Sequence, residues 1–182
     1  MERRTVLAGG AAAIMAEGLV GAANAAPAAA VTPGLEFEFR VSAKLGAPIE
    51  QGVYDNQRHR IIPIADGTVE GARFKGKVLA GGADWQTLRV SDGNTQIFAR
   101  YTLQHDDGTF VSVTNPGVRR GPADVMAKLA AGEVVDPKLY YFRASPQFEV
   151  RPGPHGWLVE NTFVCVGTRW PDSVELDIFR VL

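Results

Sequence analysis

Four charged side chains stand inside or beside segments of alternating polarity. Arg100 lies in Phe98-Ala99-Arg100-Tyr101-Thr102 and Arg143 in Tyr140-Tyr141-Phe142-Arg143. Asp84 follows Gly81-Gly82-Ala83 and precedes Trp85, and Glu149 comes shortly after Pro146. A guanidinium can hold a carboxylate, enolate or phenolate and stabilise negative charge as it develops. A carboxyl beside it can move a proton, with a pKa tuned by burial and by the neighbouring cation. On that chemistry Arg100, Glu149, Asp84 and Tyr101 are the candidate catalytic residues. Arg143, Tyr141, Trp85 and Trp157 are the candidate substrate-binding residues, with tyrosine as hydrogen-bond donor and tryptophan as apolar wall. Alternation puts Ala99 and Tyr101 on one face with Ile97 and Leu103, and Arg100 on the other with Phe98 and Thr102. Tyr141 and Arg143 share a face. If the Arg100 and Arg143 faces point into a barrel, their charges need partners, and Asp84 and Glu149 are the natural ones. The plainer reading of the same set is strand ties and core packing.

Other chemistry is excluded more firmly. There is no nucleophile elbow, phosphate-binding loop or dinucleotide fingerprint. His59, His105 and His155 fall in separate turn-like regions without ligand spacing, so no metal site is expected. The single cysteine, Cys165, excludes an internal disulfide and multi-cysteine redox or metal motifs, and reads as a buried thiol. No cofactor is expected. Lys and Arg number 19 against 20 Asp and Glu, a net charge of −1, which argues against nucleic-acid or polybasic membrane partners.

The elements that must position these residues are strands. Of 182 residues 46% are hydrophobic, a globular proportion, while 20 Gly and 11 Pro suit short strands with tight turns. Residues 1–25 read as a bacterial export signal of twin-arginine type. Arg3-Arg4 precedes a Gly/Ala-rich stretch ending in the small-x-small site Ala23-Asn24-Ala25. The mature protein is therefore expected in the periplasm or outside the cell, with no membrane association. Residues 26–33 form an Ala/Pro linker, and 34–182 are the size of one domain. There Leu35, Phe37, Phe39 and Val41 alternate with polar residues. Further strands are expected at 60–64, 69–79 (interrupted by Gly71 and Gly76), 88–90, 95–104, 109–115, 139–143, 157–167 and 173–182. Ser91-Asp92-Gly93-Asn94 and Asp106-Asp107-Gly108 read as hairpin turns. One helix begins at Gly121-Pro122-Ala123-Asp124, buries Val125, Met126 and Leu129, and ends at Gly132. The fold class is all-β, a barrel or sandwich, and closure would remove exposed sheet edges.

These motifs resemble the DUF3237 (UPF0311) family. The likeness rests on His59-Arg60-Ile61-Ile62-Pro63-Ile64, Gly67-Thr68-Val69-Glu70-Gly71 and Gly76-Lys77-Val78-Leu79-Ala80-Gly81-Gly82-Ala83-Asp84-Trp85-Gln86. It continues through Asp92-Gly93, Ala99-Arg100-Tyr101, Asp107-Gly108, Tyr141-Phe142-Arg143, Pro146-Gln147-Phe148-Glu149 and Trp157-Leu158. The resemblance implies a single closed or nearly closed antiparallel barrel of the allene oxide cyclase and dirigent type, and no settled reaction. The chain departs from the family pattern at Asp66-Gly67, where a Gly-Gly pair is usual. It departs again at Val159, where an Asn usually follows Trp-Leu.

Together the readings point to a cofactor-independent isomerase, cyclase or lyase. Its substrate is a small, partly apolar molecule, with an anionic group as one option, bound in the barrel. The alternative is a non-catalytic periplasmic barrel that binds a small molecule. A third reading, a structural homo-oligomer with the arginines as strand ties, stays open.

Overall fold

Phe39, Val41 and Ala43 are buried in the first strand, β1 (Leu35–Leu45), while Arg40 between them faces outward. The period-two pattern thus sets an inner and an outer face. The computed structural model describes residues 30–182, and the barrel unit runs from Pro33 to Leu182. The proposed export signal and the first half of the linker, residues 26–29, lie outside the described residues. No helix among the described residues is long and apolar enough to cross a membrane.

After β1 come β2 (Ile49–Tyr54), β3 (Gln57–Gly71), β4 (Gly76–Arg89), β5 (Thr95–His105) and β6 (Phe110–Arg120). The helix α1 (Ala123–Ala130) is next, then β7 (Tyr141–Ala144), β8 (Gln147–Val150), β9 (Phe163–Arg169) and β10 (Ser173–Val181). Every pairing is antiparallel. Passing round the sheet, β1 pairs β10, then come β9, β7, β6, β5, β4 and β3, and β3 pairs β1 again. Eight strands therefore close a barrel. The extra strands are β2, which pairs the first part of β3, and β8, which pairs β6 beside β7. The fold class read from the sequence is the one observed.

The seam between β1 and β3 requires a glycine. A Cβ on Gly67 would lie 2.1 Å from the carbonyl oxygen of Ser42, so only a residue without one lets the two backbones pair. One end of the barrel is filled by aromatic packing. The rings of Phe39 and Phe74 lie 5.3 Å apart, Phe39 and Phe148 6.0 Å, and Phe148 and Phe163 5.1 Å. These spacings favour edge and tilted contacts. Leu103 and Leu158 complete the plug.

The helix is where the sequence places it, with Val125, Met126 and Leu129 buried. Both Asp- and Gly-containing hairpins form as expected. Several elements differ, among them the short strand expected at 88–90, which is the end of β4, and β8, where no strand is expected. The expected strand 69–79 is the end of β3, a turn and the start of β4. The interrupting glycines bracket Phe74, which the turn drives into the core at 0% exposure. The expected strand 157–167 begins only at Phe163, because Gly156–Leu158 is a 3-10 turn that buries Leu158 in the plug. The hairpin β2–β3 was not foreseen. It turns at Asp55 and Asn56, both with positive φ (51° and 59°), the geometry of a tight hairpin loop.

Candidate functional site

Beyond the aromatic plug the barrel holds a small cavity of about 40 Å³ that opens to solvent. Its walls are apolar, chiefly Val41, Ile62, Ile97, Phe142 and Leu176, and its polar groups gather on a few strands. Inward positions of β4 carry Asp84 and Gln86. Those of β6 carry Asn115 and Arg119, β5 carries Tyr101, and β9 carries Arg169. Arg60, on the inward face of β3 with Ile62 and Ile64, stands behind Gln86.

A chain of hydrogen bonds fixes the acid. Arg60 Nε donates to Gln86 Oε1 at 2.9 Å, and Gln86 Nε2 donates to Asp84 Oδ2 at 2.5 Å. Asp84 Oδ1 accepts from the backbone N–H of Phe98 at 3.0 Å. Burial pushes the Asp84 carboxyl above its usual range, against those two hydrogen bonds and the pull of Arg119 and Arg60. Burial also lowers the three arginines. Arg119 falls furthest, to about 10, with Arg60 and Arg169 adding like-charge repulsion, so it stays protonated at neutral pH. Tyr101 is pushed up by burial, and Cys165 up to about 12, so both stay neutral.

Arg119 is the anomaly of the lumen. It is 3% exposed, and its Nε has no hydrogen-bond partner among the described residues. Asn115 Oδ1 is likewise buried and unpaired. Buried polar atoms normally find partners, and a buried charge without one is costly.

Of the residues singled out in the sequence, Asp84 and Tyr101 are in the lumen. Arg100, Arg143, Glu149, Tyr141 and Trp85 are not, since all five are exposed on the outer face, where Arg100, Glu149 and Trp85 line one groove and Tyr141 and Arg143 another. The proposed lumenal pairing of Arg100 and Arg143 with Asp84 and Glu149 is therefore corrected. On β5 the inward face is Ile97, Ala99, Tyr101 and Leu103, and on β7 it is Phe142 and Ala144, which leaves the arginines outside. Trp157 packs by the plug, under the guanidinium of Arg73 at 4.0 Å. The lumen does hold guanidiniums facing an acid, but they are Arg60, Arg119 and Arg169, which the sequence reading passed over. A signal for two was present: Arg60 shares the alternation of Ile62 and Ile64, and Arg119 that of Val111, Val113 and Asn115.

Two of the three histidines meet after all. His105 Nδ1 and His155 Nε2 each lie 3.0 Å from a carboxylate oxygen of Asp107, and the ligand atoms of the three lie within 4.8 Å of one another. Those atoms already serve the β5–β6 turn. Asp107 N–H donates to His105 Nδ1, and Asp107 Oδ1 accepts from Thr109 N–H. The trio ties the β5–β6 turn to the segment that carries His155, whose Nδ1 is buried without a partner among the described residues. These bonds, led by the Thr109 N–H, hold the Asp107 carboxyl well below its usual range.

An eight-stranded antiparallel barrel, plugged at one end and lined with arginines and one carboxyl at the other, is a scaffold able to enclose a small molecule. The chain belongs to the DUF3237 family, described as a protein family of unknown function, whose model matches residues 33–181. It is 40% identical over 154 residues to a UPF0311 protein of Rhodopseudomonas palustris, covering 84% of this chain and 100% of that one. It is 38% identical over 147 residues to a UPF0311 protein of Clostridium acetobutylicum, covering 80% and 92%. The crystal structure of a conserved R. palustris protein of unknown function superimposes with a TM-score of 0.79 at 37% identity, over 84% of this chain and 99% of that one. A beta-barrel like protein from Acinetobacter baumannii does so with a TM-score of 0.70 at 36% identity, again over 84% and 99%. A more distant likeness, 20% identity with a TM-score of 0.64 over 85% and 98%, is to a Penicillium herquei protein described as an enzyme, and concerns the fold alone.

Proposed function

We propose that this barrel is a cofactor-independent enzyme of the isomerase, cyclase or lyase class, acting on a small, partly apolar molecule held in the lumen. The observation that carries the reading is Asp84, a carboxyl with a raised pKa, fixed by Gln86 and aimed into an apolar space beside a buried guanidinium. Raising the pKa of an acid brings it toward working pH, where one group can both give and take a proton. Arg119 stands where negative charge on a substrate oxygen would be stabilised, and desolvation strengthens that attraction. Tyr101 supplies a neutral hydroxyl. The apolar walls exclude water from the reacting atoms. The Penicillium herquei relative supports the enzymatic reading by analogy of fold only. On the reading of residues 1–25 as an export signal, the substrate is met in the periplasm.

The second reading is a binding barrel without turnover. What favours it is that both oxygens of Asp84 already accept hydrogen bonds, so the carboxyl could serve as part of the wall.

The test is to identify by mass spectrometry what co-purifies with the protein and to re-incubate it with fresh enzyme. Conversion by the wild type, reduced about 10²–10⁴-fold in Asp84→Asn, is expected of a general acid–base. Recovery of the molecule unchanged selects the binding reading.

A further inference from the structure

Resting on the lumen as the ligand site, we infer that its ligand carries one carboxylate, seated on Arg119, with an apolar body lying along the barrel walls. The charge count comes first. Arg60, Arg119 and Arg169 are gathered at the mouth end, where Arg60 and Arg169 lie near enough to lower the pKa of Arg119 and Arg60 that of Arg169, against Asp84, the one lumenal carboxyl among the described residues. Glu50 and Asp172 reach Arg60 and Arg169, which leaves Asp84 as the one carboxyl that acts on Arg119. The lumen is therefore short of negative charge, and burial makes the shortage costly.

The donors decide the shape of the missing anion. Arg60 Nε is committed to Gln86 Oε1 at 2.9 Å, and Arg169 Nη1 to the carbonyl oxygen of Ser173 at 2.8 Å. Arg119 is the guanidinium with a nitrogen, Nε, that is buried and has no partner among the described residues, in a side chain that is nine-tenths buried and lines the cavity. One planar fork of N–H donors fits one planar carboxylate in two parallel hydrogen bonds. A phosphate would bring a second charge and acceptors that point out of the plane of that fork. The rest of the ligand is set by the walls. Val41, Ile62, Ile97, Phe142 and Leu176 offer no hydrogen bond, so the body attached to the carboxylate is hydrocarbon or aromatic.

The experiment monitors the Arg119 Nε–H resonance in protein labelled with 15N-arginine, assigned by its loss in Arg119→Met. The probes are acetate, benzoate, the neutral isostere benzamide, and inorganic phosphate. Acetate and benzoate should shift the resonance, benzoate at least about tenfold more tightly because it adds an apolar body. Benzamide should leave the resonance in place, and phosphate should bind more weakly than benzoate. Arg119→Lys keeps a charge without the fork and, measured by titration calorimetry because the variant lacks the Nε–H, is expected to weaken benzoate at least about tenfold. No shift with either carboxylate overturns the inference. So does benzamide binding as well as benzoate, phosphate binding more tightly, or Arg119→Lys binding benzoate unchanged. Failure to find turnover leaves this inference standing and removes only the enzymatic reading. Benzamide binding as well as benzoate removes the carboxylate while leaving the lumen as a ligand site.

Discussion

At the scale of single residues, Arg119 and Asp84 carry most of the interest because each is held where water would suit it better. A buried charge that finds no hydrogen-bond partner is costly, so an apolar side chain of similar length is favoured at such a position. Arg119→Met is therefore expected to keep or raise stability in urea, while carboxylate binding is lost. A fall in stability would show that the guanidinium is tied into the wall more firmly than its unpaired Nε indicates. Asp84 leads to a pH effect of defined sign. It faces Gln86 from its own strand, the Phe98 N–H and Tyr101 from β5, Arg60 from β3, Arg119 from β6 and Arg169 from β9. Its folded pKa lies above the ordinary value of 3.8, so the folded chain keeps a proton that the unfolded chain has released. The stability it contributes is present below 3.8 and is lost as pH rises from there through the raised folded value. Urea midpoints across that window should fall less steeply with rising pH for Asp84→Asn than for the wild type. Asp107 acts in the opposite sense: its depressed pKa contributes stability above 3.8 that is lost as pH falls, and the comparison of variants cancels it. The candidate site was only half legible at this scale. Arg100 and Arg119 are both arginines in alternating strands. What tells them apart is the company each keeps: Arg100 alternates with Phe98 and Thr102, and Arg119 with Val113 and Asn115.

At the scale of elements, the barrel depends on places where two backbones approach closer than a side chain permits. Gly67 lies at the β1–β3 seam, where closure of the ring is made. Gly67→Ala forces its new Cβ against a carbonyl oxygen rather than a flexible side chain. The expected cost is at least about 1–3 kcal/mol, the usual range for overpacking, read as a lower denaturation midpoint with the fold's far-UV dichroism kept. An unchanged midpoint would mean that the seam can spread without loss. Strand alternation in β1, β5 and β10, both turn-rich hairpins and the helix were legible, because each depends on contacts only a few residues apart. The ends of β3 and β9 were not. There the chain leaves the sheet so that Phe74 and Leu158 can fill the plug, and the residues they meet are distant in sequence. The hairpin at Asp55-Asn56 was missed for another reason. Two consecutive positive φ values are usually signalled by glycine, and here neither residue is one.

At the scale of the whole molecule, the chain's own alternation, turn residues and composition determined an all-β fold with one short helix, and the resemblance of its motifs to the DUF3237 family pointed to a barrel rather than a sandwich. A period of two is a local property, and it survives any arrangement of the strands. It states which residues share a face, but not which face looks inward when both carry large side chains. Closure of the sheet settled that. Ringing eight strands gives each one a dry side and a wet side, and desolvation then sorts Arg100, Arg143 and Glu149 to the wet side. Arg60, Arg119 and Asp84 are left on the dry side, where their strands carry the buried aliphatic positions. The convergence of β3, β4, β6 and β9 around one lumen, and with it a guanidinium short of a partner, exists only in the tertiary structure, because residues 60, 84, 119 and 169 become neighbours only when the ring is closed.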